Sequence, residues 1–370
     1  MPGLHPVFVL ASLAGREDAR VTTATATEPR RYLFAEPLRV YWEVTRACDL
    51  ACRHCRAEAV ARRHPGELST DEGIRVLREL ASGEKPPHVV LTGGDPFKRP
   101  DLFQLIDAAR HYDLGVSVSP SATPLVTPDV IRRLKTSGVE AISLSIDGST
   151  AERHDAFRGV TGTFQRTLDA AALAASVELP FQINTLVSRQ TLPDLPALYD
   201  LARGLSASRW SLFFLIQVGR GSVLEQISAQ ECEDVMAWLA GLPRGKPHVT
   251  TTEAPHYRRV VFERSGIRGG HGAGIRDGNG IMFISHTGDV YPSGFLPLVA
   301  GNVRTGHPLA IYRDATLFQQ LRDPELFGGR CGECAFRWEC GGSRARAYAA
   351  SGDPLGADPL CLRVVEGGRA

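Results

Sequence analysis

Regular alternation between strand-like and helix-like segments is the feature that most limits the fold of this 370-residue chain. Between residue 38 and about residue 240, short runs rich in β-branched and aromatic side chains alternate with amphipathic segments, as is typical of βα units. The predicted strands are Leu38–Thr45, His88–Thr92, Gly115–Ser119, Ala141–Asp147, Phe181–Val187 and Trp210–Gln217. The predicted helices lie near 70–82, 101–111, 127–136, 163–176, 193–203 and 228–240. Because crossovers between parallel strands are right-handed, these α/β units predict a TIM-like partial (β/α)6 barrel of parallel strands.

The sequence changes character after about residue 245, where glycine becomes frequent. Six glycines between 269 and 280 predict a loop, and the segments 281–285 and 290–291 around Gly288 predict a β-hairpin. We therefore expect an N-terminal extension at 1–37, the barrel at 38–245 and a small cysteine-rich α+β domain at 246–370. A single core stops growing at roughly 250–300 residues, which favours such a division.

Charge and hydropathy exclude several classes of function. With 42 Lys and Arg against 41 Asp and Glu, the chain has no excess charge for wrapping nucleic acid or binding a membrane surface. It also has no apolar run of the roughly 18 residues that a membrane span needs. The apolar run Val7–Leu13 follows no Lys or Arg and precedes Glu17 and Asp18, so we expect a protein that is not exported and that works in the cytoplasm without nucleic-acid or membrane partners.

The cysteines are distributed like metal ligands. Seven of the eight fall into two tight groups, and an unexported protein keeps its thiols reduced. The groups are Cys48, Cys52 and Cys55, and Cys331, Cys334, Cys340 and Cys361. The remaining Cys232 lies on one helical stripe with Val235, Met236 and Leu239, which predicts core packing.

Polar residues follow the predicted strands at their carboxyl ends, where parallel barrels carry their active sites. The first strand leads into the loop with Cys48, Cys52 and Cys55, and the second leads into Gly93-Gly94-Asp95-Pro96. Three thiolates in a short CxxxCxxC loop can hold an iron–sulfur cube with one iron lacking a protein ligand. A structural zinc site, with His54 as fourth ligand, is the alternative.

Together these motifs resemble those of the radical S-adenosylmethionine (SAM) enzymes over residues 38–240. The resemblance implies a [4Fe-4S] cluster on Cys48, Cys52 and Cys55 whose open iron binds SAM, which is cleaved reductively to a 5′-deoxyadenosyl radical. It also implies that Gly93–Pro96 binds the methionine amino group, although many members have Glu at the position of Asp95. By the same resemblance, the ribose or the carboxylate of SAM would be held by Ser145, Asp147, Asn184 and Arg158. For Asp147 an Asx turn, and for Arg158 a solvated surface charge, are the alternative interpretations.

The C-terminal cysteines are compatible with either a structural zinc or a second, fully ligated cluster. The run from Cys331 to Cys361 resembles the auxiliary-cluster domain of the SPASM and Twitch branches of the same family, which favours a second [4Fe-4S] cluster. Two positions depart from full SPASM domains, because Arg344 and Ser293 stand where further cysteines are expected. We therefore expect one auxiliary cluster.

Within this branch, three segments (154–159, 286–297 and 340–348) look most like the enzymes of alternative heme synthesis, which decarboxylate tetrapyrrole propionates oxidatively to vinyl groups. Such an anionic substrate needs basic residues. The candidates near the mouth of the barrel are Arg220, Arg258 and Arg259, and the candidates for contact with a porphyrin iron are His256, His271 and His286. For each of these six, a solvated or structural role is the alternative.

Two other functions stay open. Related proteins modify ribosomal peptides, but often carry a leader-binding domain before the barrel, and only about 37 residues precede the first strand here. A non-catalytic iron–sulfur or zinc protein is the second. The enzyme alternatives imply either a small molecule, with a tetrapyrrole favoured, or a short peptide as substrate, and an electron donor such as flavodoxin or ferredoxin.

Overall fold

A computed structural model describes residues 32–266 and 272–366. The predictions made for Val7–Leu13, for the glycines at 269 and 270 and for His271 lie outside these residues. The strands are β1 (Arg39–Thr45), β2 (His88–Gly93), β3 (Val116–Val118), β4 (Ala141–Ser145), β5 (Phe181–Val187), β6 (Arg209–Phe214), β7 (His248–Thr252), β8 (Ile281–Ile284), β9 (Asp289–Tyr291) and β10 (Gly301–Asn302).

Helices separate most of these strands, as βα units require. They are α1 (Thr70–Leu80), α2 (Leu102–His111), α3 (Pro128–Thr136), α4 (Ala151–Arg158), α5 (Thr163–Ser176), α6 (Leu195–Gly204), α7 (Ala229–Ala240), α8 (Tyr257–Ser265), α9 (Pro308–Asp314), α10 (Thr316–Arg322), α11 (Gly329–Glu333), α12 (Arg344–Ser351) and α13 (Leu362–Glu366). None of the helices in the described part of the chain is long and apolar enough to cross a lipid bilayer.

One ten-stranded sheet contains all of these strands in the order β10-β9-β8-β1-β2-β3-β4-β5-β6-β7. The six predicted strands are neighbours in chain order and pair in parallel. The predicted hairpin forms as β8 and β9, and β8 also pairs in parallel with β1, with Trp42 beside Ile284. The first strand therefore lies inside the sheet, with the hairpin at its other side.

Strand β7 and helix α4 are among the elements that were not predicted. Strand β7, with the sequence HVTTT, pairs in parallel with β6, but its side chains are exposed or half-buried, so it lacks the apolar run that marks a buried strand. Helix α4 is strongly polar and buries only His154 and Phe157. Both elements form because neighbouring elements hold them, and local hydropathy does not mark either one.

The two faces of β1 have different chemistry. Val40, Trp42 and Val44 are fully buried in the main apolar core, and a Cβ on Gly73 of α1 would lie 2.7 Å from the Trp42 ring. Alternation then places Glu43 and Thr45 on the opposite face of the sheet, away from α1. That inner face is where polar groups collect.

Candidate active site

The loop that follows β1 gathers the first three cysteines. Cys48 and Cys52 are buried, Cys55 is half-buried, and all three belong to one small cluster with Leu50 and Ala59. The loop is tied to α4 by the Arg53 amide, which donates to the Phe157 carbonyl at 3.0 Å. The predicted grouping of these cysteines is thus present in the structure.

Arg220 holds this loop from outside. Its Nε donates to the Cys52 carbonyl at 3.0 Å, its Nη1 donates to the Ala59 carbonyl at 3.2 Å, and its amide donates to the Cys55 carbonyl at 3.1 Å. Two of its side-chain nitrogens are thus committed to backbone carbonyls, while its buried Nη2 has no hydrogen-bond partner among the described residues. Contact of Arg220 with an anionic substrate stays a prediction. Its structural contribution is to fix the loop.

The segment Gly93–Pro96 packs directly on the cysteine loop. The Gly94 amide donates to the Thr45 carbonyl at 2.9 Å, and the Asp95 amide donates to the Ala47 carbonyl at 2.7 Å. A Cβ on Gly94 would lie 2.5 Å from the Ala47 carbonyl oxygen. Only glycine allows this close approach of two backbones.

The carboxylate of Asp95 is used inside the protein. Its side chain is fully buried, its Oδ1 accepts from the Phe97 amide at 3.2 Å and its Oδ2 accepts from the Thr123 hydroxyl at 2.7 Å. Burial raises its pKa above the usual value, although these two hydrogen bonds act in the opposite direction. Because both oxygens are engaged, the geometry gives Asp95 a positioning function. Thr123 was not identified from the sequence.

Ser121 connects the two loops. Its hydroxyl donates to the Gly94 carbonyl at 2.8 Å and lies 3.4 Å from the Cys48 Sγ. Burial raises the pKa of the Cys48 thiol, and the hydrogen bond to Ser121 partly offsets this rise. The sequence placed Ser121 after the third strand without assigning it a function.

Asp147 and Arg158 form a buried ion pair beside the cysteines. Arg158 Nη2 lies 2.5 Å from Asp147 Oδ2, and Arg158 Nη1 lies 3.6 Å from the Cys52 Sγ. Burial would raise the pKa of Asp147, but Arg158, His54 and His154 together bring it below its usual value. Asp147 Oδ1 also accepts from the Leu186 amide at 2.8 Å. Arg158 is therefore not a solvated surface charge.

His54 lies against the same pair, and its Nε2 is 4.0 Å from Asp147 Oδ2. Its ring stacks on Phe157 with a centroid distance of 4.9 Å. Burial lowers the pKa of His54 to about 4, so the ring is neutral at physiological pH. Its position between two cysteines brings it to the site, but its ring faces Phe157 and Asp147.

Ser145 and Asn184 are neighbours across β4 and β5, where they occupy the same register position. Asn184 Oδ1 accepts a hydrogen bond from the side-chain Nε2 of Gln182 at 2.8 Å. Ser145 is the last residue of β4 and Asn184 lies in the middle of β5. Both lie on the face opposite the core residues Leu144 and Ile183. They line the inner face next to Asp147.

The four C-terminal cysteines surround one small cavity, together with His256 and Arg259. Three of the thiols accept backbone N–H groups at 3.4 Å, namely Cys331 from Asp358, Cys334 from Phe336 and Cys340 from Gly342. Burial raises the pKa of Cys340 to about 12 and that of Cys361 to about 11. Thiols this buried need a metal or cations before they ionise.

A buried guanidinium lies beside this group. Arg344 is fully buried and donates to the carbonyls of Pro354 and Gly356 at 3.2 and 2.7 Å, and its charge lowers the pKa of Cys331 against the opposing effect of burial. Ser293 is also buried, and its hydroxyl accepts from the Phe295 amide at 3.2 Å. The two positions that depart from the family pattern thus have structural functions here.

Three of the predicted substrate contacts are committed elsewhere. Arg258 donates to the carbonyls of Glu339 and Ile275 at 3.0 and 2.6 Å. Arg259 pairs with Glu233 at 2.5 Å, and the buried His256 has its Nε2 3.3 Å from the Cys232 Sγ. These contacts favour the structural role that the sequence left open for all three side chains. Cys232, which the sequence predicted to pack in the core, thus also has a polar contact with His256.

Within residues 32–266 and 272–366, no three His, Cys, Asp or Glu side chains are close enough together to hold one metal ion. A mononuclear zinc needs thiolates that converge to about 2.3 Å from one point. In an iron–sulfur cluster each thiolate binds a different iron, so the sulfurs stand farther apart. The first three cysteines lie in one small apolar cluster, and the last four line a separate cavity.

Three cysteines follow the first strand of this parallel sheet, and a glycine-rich turn follows the second strand. Together these features define a class of enzyme. The profile described as "Radical SAM superfamily" matches residues 42–202. The chain belongs to this superfamily, and the expected enzyme class is confirmed.

Comparison with individual proteins shows which members of the superfamily this chain resembles. An "AdoMet-dependent heme synthase" from Methanosarcina barkeri is 38% identical over 338 residues, which cover 88% of this chain and 96% of that protein. A protein of the same description from Nitratidesulfovibrio vulgaris is 41% identical over 87% of this chain and 91% of its own length. A "Mycofactocin maturase MftC" from Mycobacterium ulcerans is 32% identical over 88% of both chains.

Solved structures confirm the fold class. SuiB from Streptococcus suis, bound to its precursor peptide SuiA, matches with a TM-score of 0.70 and 17% identity over 90% of this chain and 78% of that one. Native anSMEcpe with bound AdoMet matches with a TM-score of 0.65 and 16% identity over 89% of this chain and 95% of that one. At these identities the likeness concerns the fold alone.

Proposed function

We propose that this chain oxidatively decarboxylates propionate side chains of an iron tetrapyrrole to vinyl groups. The observation that carries the proposal is the identity of 38–41% to the heme synthases over nearly their whole length. Relatives named as a Fe-coproporphyrin III synthase and a pre-heme d1 synthase, at 29% and 28% identity, also act in tetrapyrrole chemistry by name.

Cys48, Cys52 and Cys55 are proposed to hold a [4Fe-4S] cluster whose fourth iron binds SAM. The fit is supported by three thiols in one small cluster and by the buried Arg158, whose Nε has no hydrogen-bond partner among the described residues. A guanidinium fork suits the carboxylate of SAM or a cluster thiolate. When bound, this group supplies an electron that cleaves SAM to a radical, which removes a hydrogen atom from the substrate.

The remaining SAM contacts are proposed for the inner edge of the sheet. In this proposal, Ser145 and Asn184 contact the ribose, and Asp147 orients Arg158 toward the carboxylate. The backbone of Gly93, Gly94 and Pro96 forms the surface for the methionine amino group, while Asp95 keeps that turn in shape through Thr123 and Phe97.

Cys331, Cys334, Cys340 and Cys361 are proposed to hold the auxiliary [4Fe-4S] cluster. Four thiolates around one cavity and three N–H···S hydrogen bonds support this assignment, since such hydrogen bonds stabilise an anionic cluster. The buried charge of Arg344 acts in the same direction.

The reaction balances as a one-electron oxidation after hydrogen abstraction. Removal of a hydrogen atom from the propionate carbon next to the ring leaves a carbon radical and yields 5′-deoxyadenosine. The bond to the carboxylate then breaks, carbon dioxide leaves, a double bond forms and one electron passes to an acceptor. The auxiliary site is the proposed acceptor. We further propose a cytoplasmic location and flavodoxin or ferredoxin as the electron donor.

The decisive experiment is anaerobic incubation of the reconstituted protein with SAM, dithionite and iron coproporphyrin III. We expect 5′-deoxyadenosine and porphyrin products that have lost carbon dioxide and two hydrogens per converted side chain, measured by mass spectrometry. Cleavage of SAM with no change in the porphyrin would reject the substrate. Peptide modification, favoured by the similarity to MftC, is then tested with a peptide encoded beside the gene.

A further inference from the structure

A buried acidic residue lies on the inner face of the sheet, next to the cysteine loop. Glu43 is only 4% exposed, although it is a charged residue in a central strand. Its Oε1 lies 2.8 Å from His286 Nδ1 and its Oε2 lies 3.2 Å from Arg56 Nη2. Burial opposes its ionisation, but these two partners hold the pKa of Glu43 below the usual value.

The partners of Glu43 come from the two elements on either side of it. Arg56 directly follows Cys55 in the cysteine loop, and its guanidinium lies 4.5 Å from the centre of the Phe283 ring on β8. His286 follows the end of β8, which pairs with β1. The Glu43–His286 pair therefore lies at the carboxyl end of the sheet, between the cysteine loop and the hairpin.

One nitrogen of His286 is left for a ligand. Its side chain is 10% exposed, and none of the residues in 32–266 and 272–366 forms a hydrogen bond with its Nε2. A carboxylate that accepts the Nδ1 proton fixes the tautomer whose Nε2 carries a lone pair. This is the arrangement in which proteins present histidine to a metal.

We propose that His286 Nε2 is an axial ligand to the iron of the tetrapyrrole substrate and that Glu43 orients the ring. This inference rests on the proposed function. His256 is excluded as the ligand because its Nε2 contacts the Cys232 Sγ. His154 is excluded because its Nδ1 accepts from the Asp147 amide at 3.2 Å, which leaves the ring proton on Nε2. His64 packs edge-on against His286 at 5.3 Å, and it is the neighbouring ring that a test must separate from His286.

The test is spectroscopic and needs no turnover. Iron coproporphyrin III is added anaerobically to the cluster-loaded wild-type protein, and the absorption and EPR spectra of the bound iron are recorded. We expect an imidazole-coordinated spectrum that is lost in His286→Gly and restored when imidazole is added. Glu43→Gln should retain coordination but weaken iron-dependent binding by about 10–100-fold. His64→Ala should leave the spectrum unchanged.

Metal-free coproporphyrin III separates this inference from the proposed function. We expect the metal-free compound to bind equally well to wild type and to His286→Gly. If the imidazole-coordinated iron spectrum is then lost only in the variant, His286 is the axial ligand. An unchanged iron spectrum in His286→Gly, or its loss in His64→Ala alone, overturns the inference. If His286→Gly loses its clusters, binding of iron coproporphyrin III to Glu43→Gln that is as tight as binding to wild type has the same negative meaning. If the wild type binds neither porphyrin, the proposed function itself fails.

Discussion

Arg158 Nη2 lies 2.5 Å from Asp147 Oδ2, while Nη1 of the same guanidinium lies 3.6 Å from the Cys52 Sγ. Helix α4 makes this possible, since Gly159 ends it with φ +73° and a Cβ there would lie 2.8 Å from the Ala51 carbonyl oxygen. A left-handed glycine thus brings the end of the helix against the cysteine loop. One guanidinium thus pairs with a carboxylate and contacts a cysteine sulfur.

Removing the Arg158 guanidinium should lower the free energy of unfolding. Arg158→Ala leaves the Asp147 carboxylate buried without its cation, which costs about 3–5 kcal/mol of unfolding free energy and raises the pKa of Asp147. Urea unfolding measures the loss, and calorimetry measures the expected weaker binding of SAM. The double variant with Asp147→Asn should be more stable than Arg158→Ala alone, because it removes the uncompensated charge. A double variant that is less stable than the single one contradicts this explanation.

Two glycines make a matched pair for the close approach of the loops. In Gly94→Ala the new Cβ lies 2.5 and 2.6 Å from two backbone oxygens, so the turn must move away from the cysteine loop. We expect a loss of about 1–3 kcal/mol and of iron from the first site. Gly204→Ala at the end of α6 meets nothing within 4 Å and should gain up to about 1 kcal/mol. Thermal unfolding and iron analysis compare the two, and equal behaviour would argue against a steric requirement at Gly94.

Substitutions in the two cysteine groups should have different effects on SAM cleavage and on substrate turnover. Cys52→Ala should abolish SAM cleavage, whereas Cys334→Ala should lower the iron content by about half and retain SAM cleavage while losing substrate turnover. Iron analysis and chromatography of 5′-deoxyadenosine measure these outcomes. Cys232→Ala, outside both groups, should keep the full iron content. Full iron in Cys334→Ala would show that the second group holds no cluster.

Acid should destabilise the protein through His154. Burial lowers the pKa of this fully buried ring to about 4, whereas the unfolded chain binds the proton near pH 6.5. The unfolded state therefore holds more protons between these values, and unfolding free energy falls as the pH decreases, by up to about 1.4 kcal/mol per pH unit. His154→Gln should reduce this slope between pH 6.5 and 5 in urea titrations. The exposed His111 serves as control, and a slope unchanged by His154→Gln would reject the assignment.

The barrel could be predicted because its strands carry local signals. The predicted limits of β5 were those observed, and the other five predicted strands differ only at their ends. Strand β7 and helix α4 could not be predicted, because their stability comes from pairing with β6 and from packing of two side chains. Their sequences are polar, so hydropathy does not reveal them.

By itself, the sequence determined the order of the elements, the two groups of cysteines and the glycines after β2, since hydropathy period and short-range spacing are properties of neighbouring residues. Only the tertiary structure decided which charges meet. It placed Arg220, Arg258 and Arg259 in internal contacts, engaged both oxygens of Asp95, and joined Glu43 to a histidine 243 positions away. Electrostatic and hydrogen-bond energies depend on distances of a few ångströms and on burial, and folding sets both between residues that are remote in the chain.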